Sequence, residues 1–151
     1  MKKTNKGFSL VELIIVIAIM AILAGALAPA LIKYINKSRA SSAISNAQQI
    51  AGAIQTALSN ESIFEKADDF GPDTYKSFLA TDVGAEVKKT LGGQDQHKAK
   101  KDLQGGDVES YDYYVEVHPV PTGDQQMVQV WVGKNTDAHM VYPTLGTGWK
   151  D

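Results

Sequence analysis

The sequence predicts an α+β fold, a long N-terminal α-helix set on a small antiparallel β-sheet head. Three observations predict it. Leu13 to Ile32 is a run of twenty residues without a charge. Apolar residues then recur at helical spacing to about Ser59. After residue 107, apolar and polar residues alternate in short runs separated by turn residues.

The chain opens with a short polar segment, residues 1–7, carrying Lys2, Lys3 and Lys6. Twenty residues of helix rise ~30 Å, about the hydrocarbon thickness of a bilayer. Residues 8–32 are therefore expected to form a transmembrane helix. An ordinary secretory signal, cut near Ala24-Gly25-Ala26, is the plainer alternative. It is opposed by the continuation of the apolar run to Ile32 and by Glu12, an acid inside its start. A simple anchor has no use for that acid, because a carboxylate at the centre of a span costs up to ~3 kcal/mol.

A cut between Gly7 and Phe8 would give Glu12 a partner. The new amino group on Phe8 would be a cation four residues before Glu12. It could pair within one chain at i,i+4 spacing or with Glu12 of a neighbouring copy. Pairing between copies would penalise misregistered neighbours, since an unpaired buried charge is costly.

Lys6-Gly7-Phe8-Ser9-Leu10-Val11-Glu12, followed by a long aliphatic run, resembles the start of type IV prepilins. The resemblance covers Lys2 to Lys33, about a fifth of the chain. It implies that a prepilin peptidase cuts after Gly7 and that Phe8 is N-methylated. It also implies that Glu12 sets the register between subunits. The implied partners are further copies in a helical homopolymer, the peptidase, the cytoplasmic membrane and the pilus assembly machinery. The implied course runs from a single-pass membrane precursor to an extracellular filament serving adhesion, motility or biofilm formation. Two alternatives share parts of this pattern. One is a pseudopilin of a type II secretion or DNA-uptake system, and the other a non-polymerising, membrane-anchored surface protein.

Gly25 and Pro29 interrupt the apolar run. Proline removes a helical hydrogen bond and crowds the preceding turn, and glycine weakens the helix. A kink or an unwinding stretch is expected between them. Residues 33–59 read as the amphipathic half of the helix. Ala40, Ala43, Ile44, Ala47, Ile50, Ala51, Ile54, Ala57 and Leu58 lie on one face, with serines and glutamines opposite. A helix from Phe8 to Ser59 would be ~78 Å long. A head this small cannot bury such a helix alone, so its first half needs lipid or other copies.

Residues 60–107 are expected to be a connecting region with short helices. Glu61 to Pro72 reads as loop, with Gly71-Pro72 as a breaker. Asp73 to Leu79 reads as a helical turn. Thr81 or Asp82 would cap a helix carrying Val83, Val87 and Leu91, stopped by Gly92. Gly92-Gly93 and Gly105-Gly106 bracket a polar loop containing lysines. Residues 108–151 would form an antiparallel meander and a tail. Its strands would hold Tyr111 to Val117, Val128 to Val132 and Ala138 to Tyr142. The chain has no cysteine, so it departs from family members that close this region with a disulfide. Leu145 and Trp149 are expected to hold the tail by packing.

Charge is divided along the chain. Residues 1–59 carry six basic residues against Glu12 alone, a net of +5, whereas residues 60–151 carry nine lysines against sixteen acids, a net of −7. An acidic C-terminal part repels phosphate backbones, which argues against nucleic-acid binding. His97, His118 and His139 are scattered without ligand spacing, and Asp68, Asp69 and Asp73 lack the spacing of a calcium loop. Lys98, Lys100 and Lys101 read as a solvated loop, and Trp131 as part of a sheet. Asn60-Glu61-Ser62 fits a glycosylation acceptor pattern that is common by chance. No nucleophile–base set or phosphate loop is present. The expectation is no catalysis, no cofactor and no metal.

Overall fold

The computed structural model describes residues 7–93, 98–100, 110–133 and 139–146. The chain divides into two compact units, residues 1–37 and 38–151. Helix α1 runs from Leu10 to Leu58 and contributes to both.

In the first unit α1 is apolar on every side. All residues from Gly7 to Ile35 are exposed, including Leu13, Ile17 and Leu23. The helix is unbroken across Gly25 and Pro29, so the stretch expected to unwind is helical here. Long aliphatic side chains and alanines, all good or fair helix formers, carry the backbone through it.

In the second unit the same helix becomes one-sided. Of the predicted stripe, Ala43, Ala47, Ile50, Ala51, Ile54, Ala57 and Leu58 are buried and Ala40 and Ile44 are half-buried, and Ala53 joins the buried set. The small alanines of α1 share the core with larger valines and aromatics from the rest of the unit. It is completed by Tyr75, Phe78, Val83, Val87, Tyr113 and Val115. The phenol of Tyr113 donates to the Ala43 carbonyl at 3.3 Å. Burial pushes the Tyr113 hydroxyl above the usual tyrosine range, a shift partly offset by a hydrogen bond with the Asn46 side chain.

Three short helices follow α1. In α2, Glu61–Phe64, Asn60 is the cap and its side chain accepts from the Ser62 amide. In α3, Tyr75–Phe78, Thr74 is the cap, and both Tyr75 and Phe78 are buried. In α4, Asp82–Thr90, the Thr81 hydroxyl accepts from the Gly84 amide at 3.0 Å. Gly92 beyond α4 takes a φ of +73°, a left-handed conformation that suits glycine and ends the helix.

The strands are β1 (Phe70–Thr74), β2 (Lys98–Lys100), β3 (Ser110–Val117), β4 (Val128–Val132) and β5 (Met140–Tyr142). They pair antiparallel in the order β1-β3-β4-β5, with β2 against the start of β3. On β3, Tyr113, Val115 and Val117 are buried while Asp112 is exposed, the alternation expected of a sheet with one face on a core. On β4, Val128, Val130 and Val132 are buried, and so is Trp131.

Three readings need correction. Glu61 to Pro72 is not all loop, since it holds α2 and the first half of β1. Gly71-Pro72 does not break the strand. The register shifts between Phe70 and Asp73, so the pair sits in a bulge. Gly71 has a φ of +93°, and a Cβ there would lie 2.2 Å from the Val115 carbonyl oxygen, so only glycine fits. A bulge on an edge strand accommodates proline because no ladder donor is demanded of it. Lys98–Lys100 also forms a strand where loop was expected. Leu145 is exposed and Trp149 lies outside the described residues, as do His97 and Lys101.

Candidate functional site

Around the expected cut the backbone changes character. Gly7, Phe8 and Ser9 are non-helical, and the helix begins at Leu10. Phe8 is 89% exposed. A Cβ on Gly7 would meet nothing within 4 Å. The chain's own packing therefore does not require glycine there.

Ser9 and Glu12 fix where the helix begins. The Ser9 amide donates to Glu12 Oε2 at 2.8 Å, and the Val11 amide donates to Ser9 Oγ at 3.3 Å. The Leu13 amide donates to the Ser9 carbonyl at 3.2 Å, an i→i+4 bond. This is a capping box, in which the cap hydroxyl and the glutamate three residues on each satisfy an otherwise orphaned amide. A carboxylate in the first turn also meets the positive end of the helix dipole. Glu12 thus has a partner in the uncut chain, a role the sequence reading did not assign. The signal was legible, because Ser-x-x-Glu before an apolar run is the sequence mark of such a cap.

Beyond Glu12 the exposed apolar surface is extensive. Each large side chain gains ~1.5–3 kcal/mol when moved from water to an apolar environment. Among the described residues α1 alone is long and apolar enough to cross a membrane. Gly25 lies in this stretch with open space where a side chain would be.

The second unit offers a different kind of surface. A cavity of about 300 Å³ is lined by Lys66, Asp68, Asp69, Phe78, Thr81 and Asp82, among others. The Thr81 hydroxyl is committed to capping, accepting from Gly84 and donating to the Phe78 carbonyl at 2.8 Å. The buried His118, just after β3, places Nδ1 3.3 Å from Asp69 Oδ1 and Nε2 3.2 Å from Glu116 Oε1. Asp73 accepts from the Thr74 amide. Among the described residues no three His, Cys, Asp or Glu side chains are grouped to hold a metal ion.

Residues 2–28 match the family model described as the prokaryotic N-terminal methylation motif. The match contains Gly7, Phe8, Ser9, Glu12 and Gly25. The type IV major fimbrial protein FimA of Dichelobacter nodosus is 45% identical over 58 residues, covering 38% of this chain and 37% of that protein. A further FimA sequence from the same organism is 43% identical over 58 residues, with the same coverage of both chains. Its N-terminal segment thus carries the methylation motif and resembles the start of type IV fimbrial proteins. The match spans little more than a third of the length of these curated relatives. No solved structure matches the chain. The apolar helix start joined to a small α+β unit is the pilin-like arrangement expected from the sequence.

Proposed function

We propose that this chain is the precursor of a type IV pilus subunit. It is cut between Gly7 and Phe8, N-methylated on Phe8 and polymerised through residues 8–32. The observation that carries this reading is the abrupt change at Ser9. An exposed, non-helical Gly7-Phe8 lies directly before an all-round apolar helix that has one acid near its start. A peptidase needs an extended bond, and a filament core needs lipid-like helices. The sequence places the two side by side.

The precursor sits in the cytoplasmic membrane through residues 8–32, with residues 1–7 inside. After cutting, the apolar surface passes from lipid to neighbouring copies, an exchange of one apolar environment for another. Glu12 leaves its own cap to meet the Phe8 amine of a neighbour, so that a misplaced subunit keeps an unpaired charge in an apolar core. Gly25 and Pro29 are where the helix yields during assembly, since Pro29 leaves one helical bond unmade. Residues 33–59 and the following regions, 60–107 and 108–151, form the part facing solvent. The finished filament serves at the cell surface, in adhesion, motility or biofilm formation.

Mass spectrometry of surface-extracted protein tests the processing. The expected mature chain starts at a methylated Phe8; a start near Leu27 or Leu31 would sink the proposal. Glu12→Ala tests the register. Surface filaments should fall at least about tenfold, as expected when one charge in a buried pair is left alone, while the membrane precursor level stays unchanged. Filaments that are short and confined to the envelope would favour a pseudopilin. Normal assembly of the variant would favour a plain anchor.

A further inference from the structure

The capping box has a consequence for the bond before it. If α1 began two residues earlier, its ladder would join the Val11 amide to the Gly7 carbonyl, the i→i+4 pair. That carbonyl is the one attacked in the proposed cut. In the structure the Val11 amide goes to Ser9 Oγ instead, and the first i→i+4 bond runs from Leu13 to Ser9. Glu12 holds the Ser9 amide and locks this start. The Gly7 carbonyl is left outside the helix.

We propose that Ser9 is a positioning residue for cleavage: its hydroxyl diverts the Val11 amide and so keeps the Gly7–Phe8 bond extended and open to the peptidase. The inference rests on the reading of Gly7–Phe8 as the cleaved bond. Hydrolysis breaks the bond between the Gly7 carbonyl carbon and the Phe8 nitrogen. Water supplies the oxygen that completes the Gly7 carboxylate, and the Phe8 nitrogen keeps the bonding pair and takes up a proton. Attack needs the Gly7 oxygen free to accept donors from the enzyme as charge develops on it. A carbonyl already bonded within a helix must be released first, at the cost of local unwinding.

The arrangement is sensitive to this one side chain because Gly7 is itself an acceptable cap. Glycine ranks near threonine at that position, and alanine far below. With Ser9→Ala the helix start therefore moves back to Gly7, and the scissile carbonyl enters the ladder.

The test uses the full-length precursor in detergent micelles with purified prepilin peptidase. Ser9→Ala should lower kcat/KM roughly threefold to tenfold through KM, with kcat at saturation unchanged, because only the population of open substrate falls. Ser9→Thr and Ser9→Asn, which restore a capping oxygen on side chains of different shape, should recover most of the rate. Amide exchange by NMR should show the Val11 amide better protected in Ser9→Ala than in the wild type. Unchanged kcat/KM in Ser9→Ala overturns the proposal. So does a fall confined to kcat, or rescue by Thr and not Asn, since either means that the peptidase reads the hydroxyl directly. A wild-type precursor left uncut at Gly7–Phe8 is a separate outcome and removes the processing reading itself.

Discussion

Ile17 and Ile54 belong to the same helix and have opposite surroundings. Ile17 is 55% exposed in the first unit, and Ile54 is fully buried in the second. The residue type is the same, so the difference lies in what each segment has been given to pack against. Ile54 meets valines of the sheet and buried aromatics within its own unit. Ile17 has apolar neighbours along its own helix only, and the whole of that segment shares its exposure. One part of α1 is a core element and the other presents its apolar side chains on the surface.

Cutting back the two isoleucines gives the largest expected contrast. Ile54→Ala should destabilise the second unit by ~2–5 kcal/mol, read as a lower denaturation midpoint of the micelle-bound protein, because it leaves a cavity in a packed core. Ile17→Ala should leave that midpoint within about 0.5 kcal/mol, as expected of a site outside the core. Equal effects would break the comparison.

Two glycines sharpen it. In α4 a Cβ on Gly84 would lie 2.0 Å from the Phe78 carbonyl oxygen, a backbone atom that cannot step aside. Gly84→Ala should therefore cost ~1–3 kcal/mol in thermal or chemical unfolding. Gly25 has open space around it, and Gly25→Ala should strengthen its helix by up to ~1 kcal/mol. Hydrogen exchange at the amides between residues 25 and 30 reads that gain. A destabilising Gly25→Ala would show that the segment needs its glycine.

The smallest effect belongs to Tyr113. Its neutral phenol is the form that the buried site favours, so the folded group holds its proton more tightly than the unfolded one. The stability this gives is whole below pH ~10 and is lost as pH rises through the higher folded value. Tyr113→Phe should cost ~1 kcal/mol at neutral pH through the lost hydrogen bond. It should also remove this part of the alkaline decline in stability. An unchanged decline in the variant would assign it to other groups.

How much of this was legible depended on whether the signal was periodic or local. Helical spacing gave α1 to within two residues at each end, and strict alternation gave β3 and β4. Both patterns average over many residues and survive local exceptions. Gly71-Pro72 misled because these residues most often end elements. Only the close approach of the Val115 carbonyl explains why a strand would want them. At Glu12 the reading was incomplete. Its conflict with the apolar run drew attention to a partner in another chain, while its nearer partner, the Ser9 amide, lay three residues away. Gly7 and Phe8 were found by motif alone. The structure adds the non-helical backbone there, which no periodicity could reveal.

Pro72 carries one last implication. It sits in β1, at one margin of the sheet, where an ordinary strand would offer a row of amides to any passing chain. Proline has no amide to offer, and the displaced register bends the row out of line. The opposite margin, β5, is three residues long. Both of these margins are thus blunted against pairing with the strand of another molecule, and the broad apolar surface of the chain lies on α1 instead.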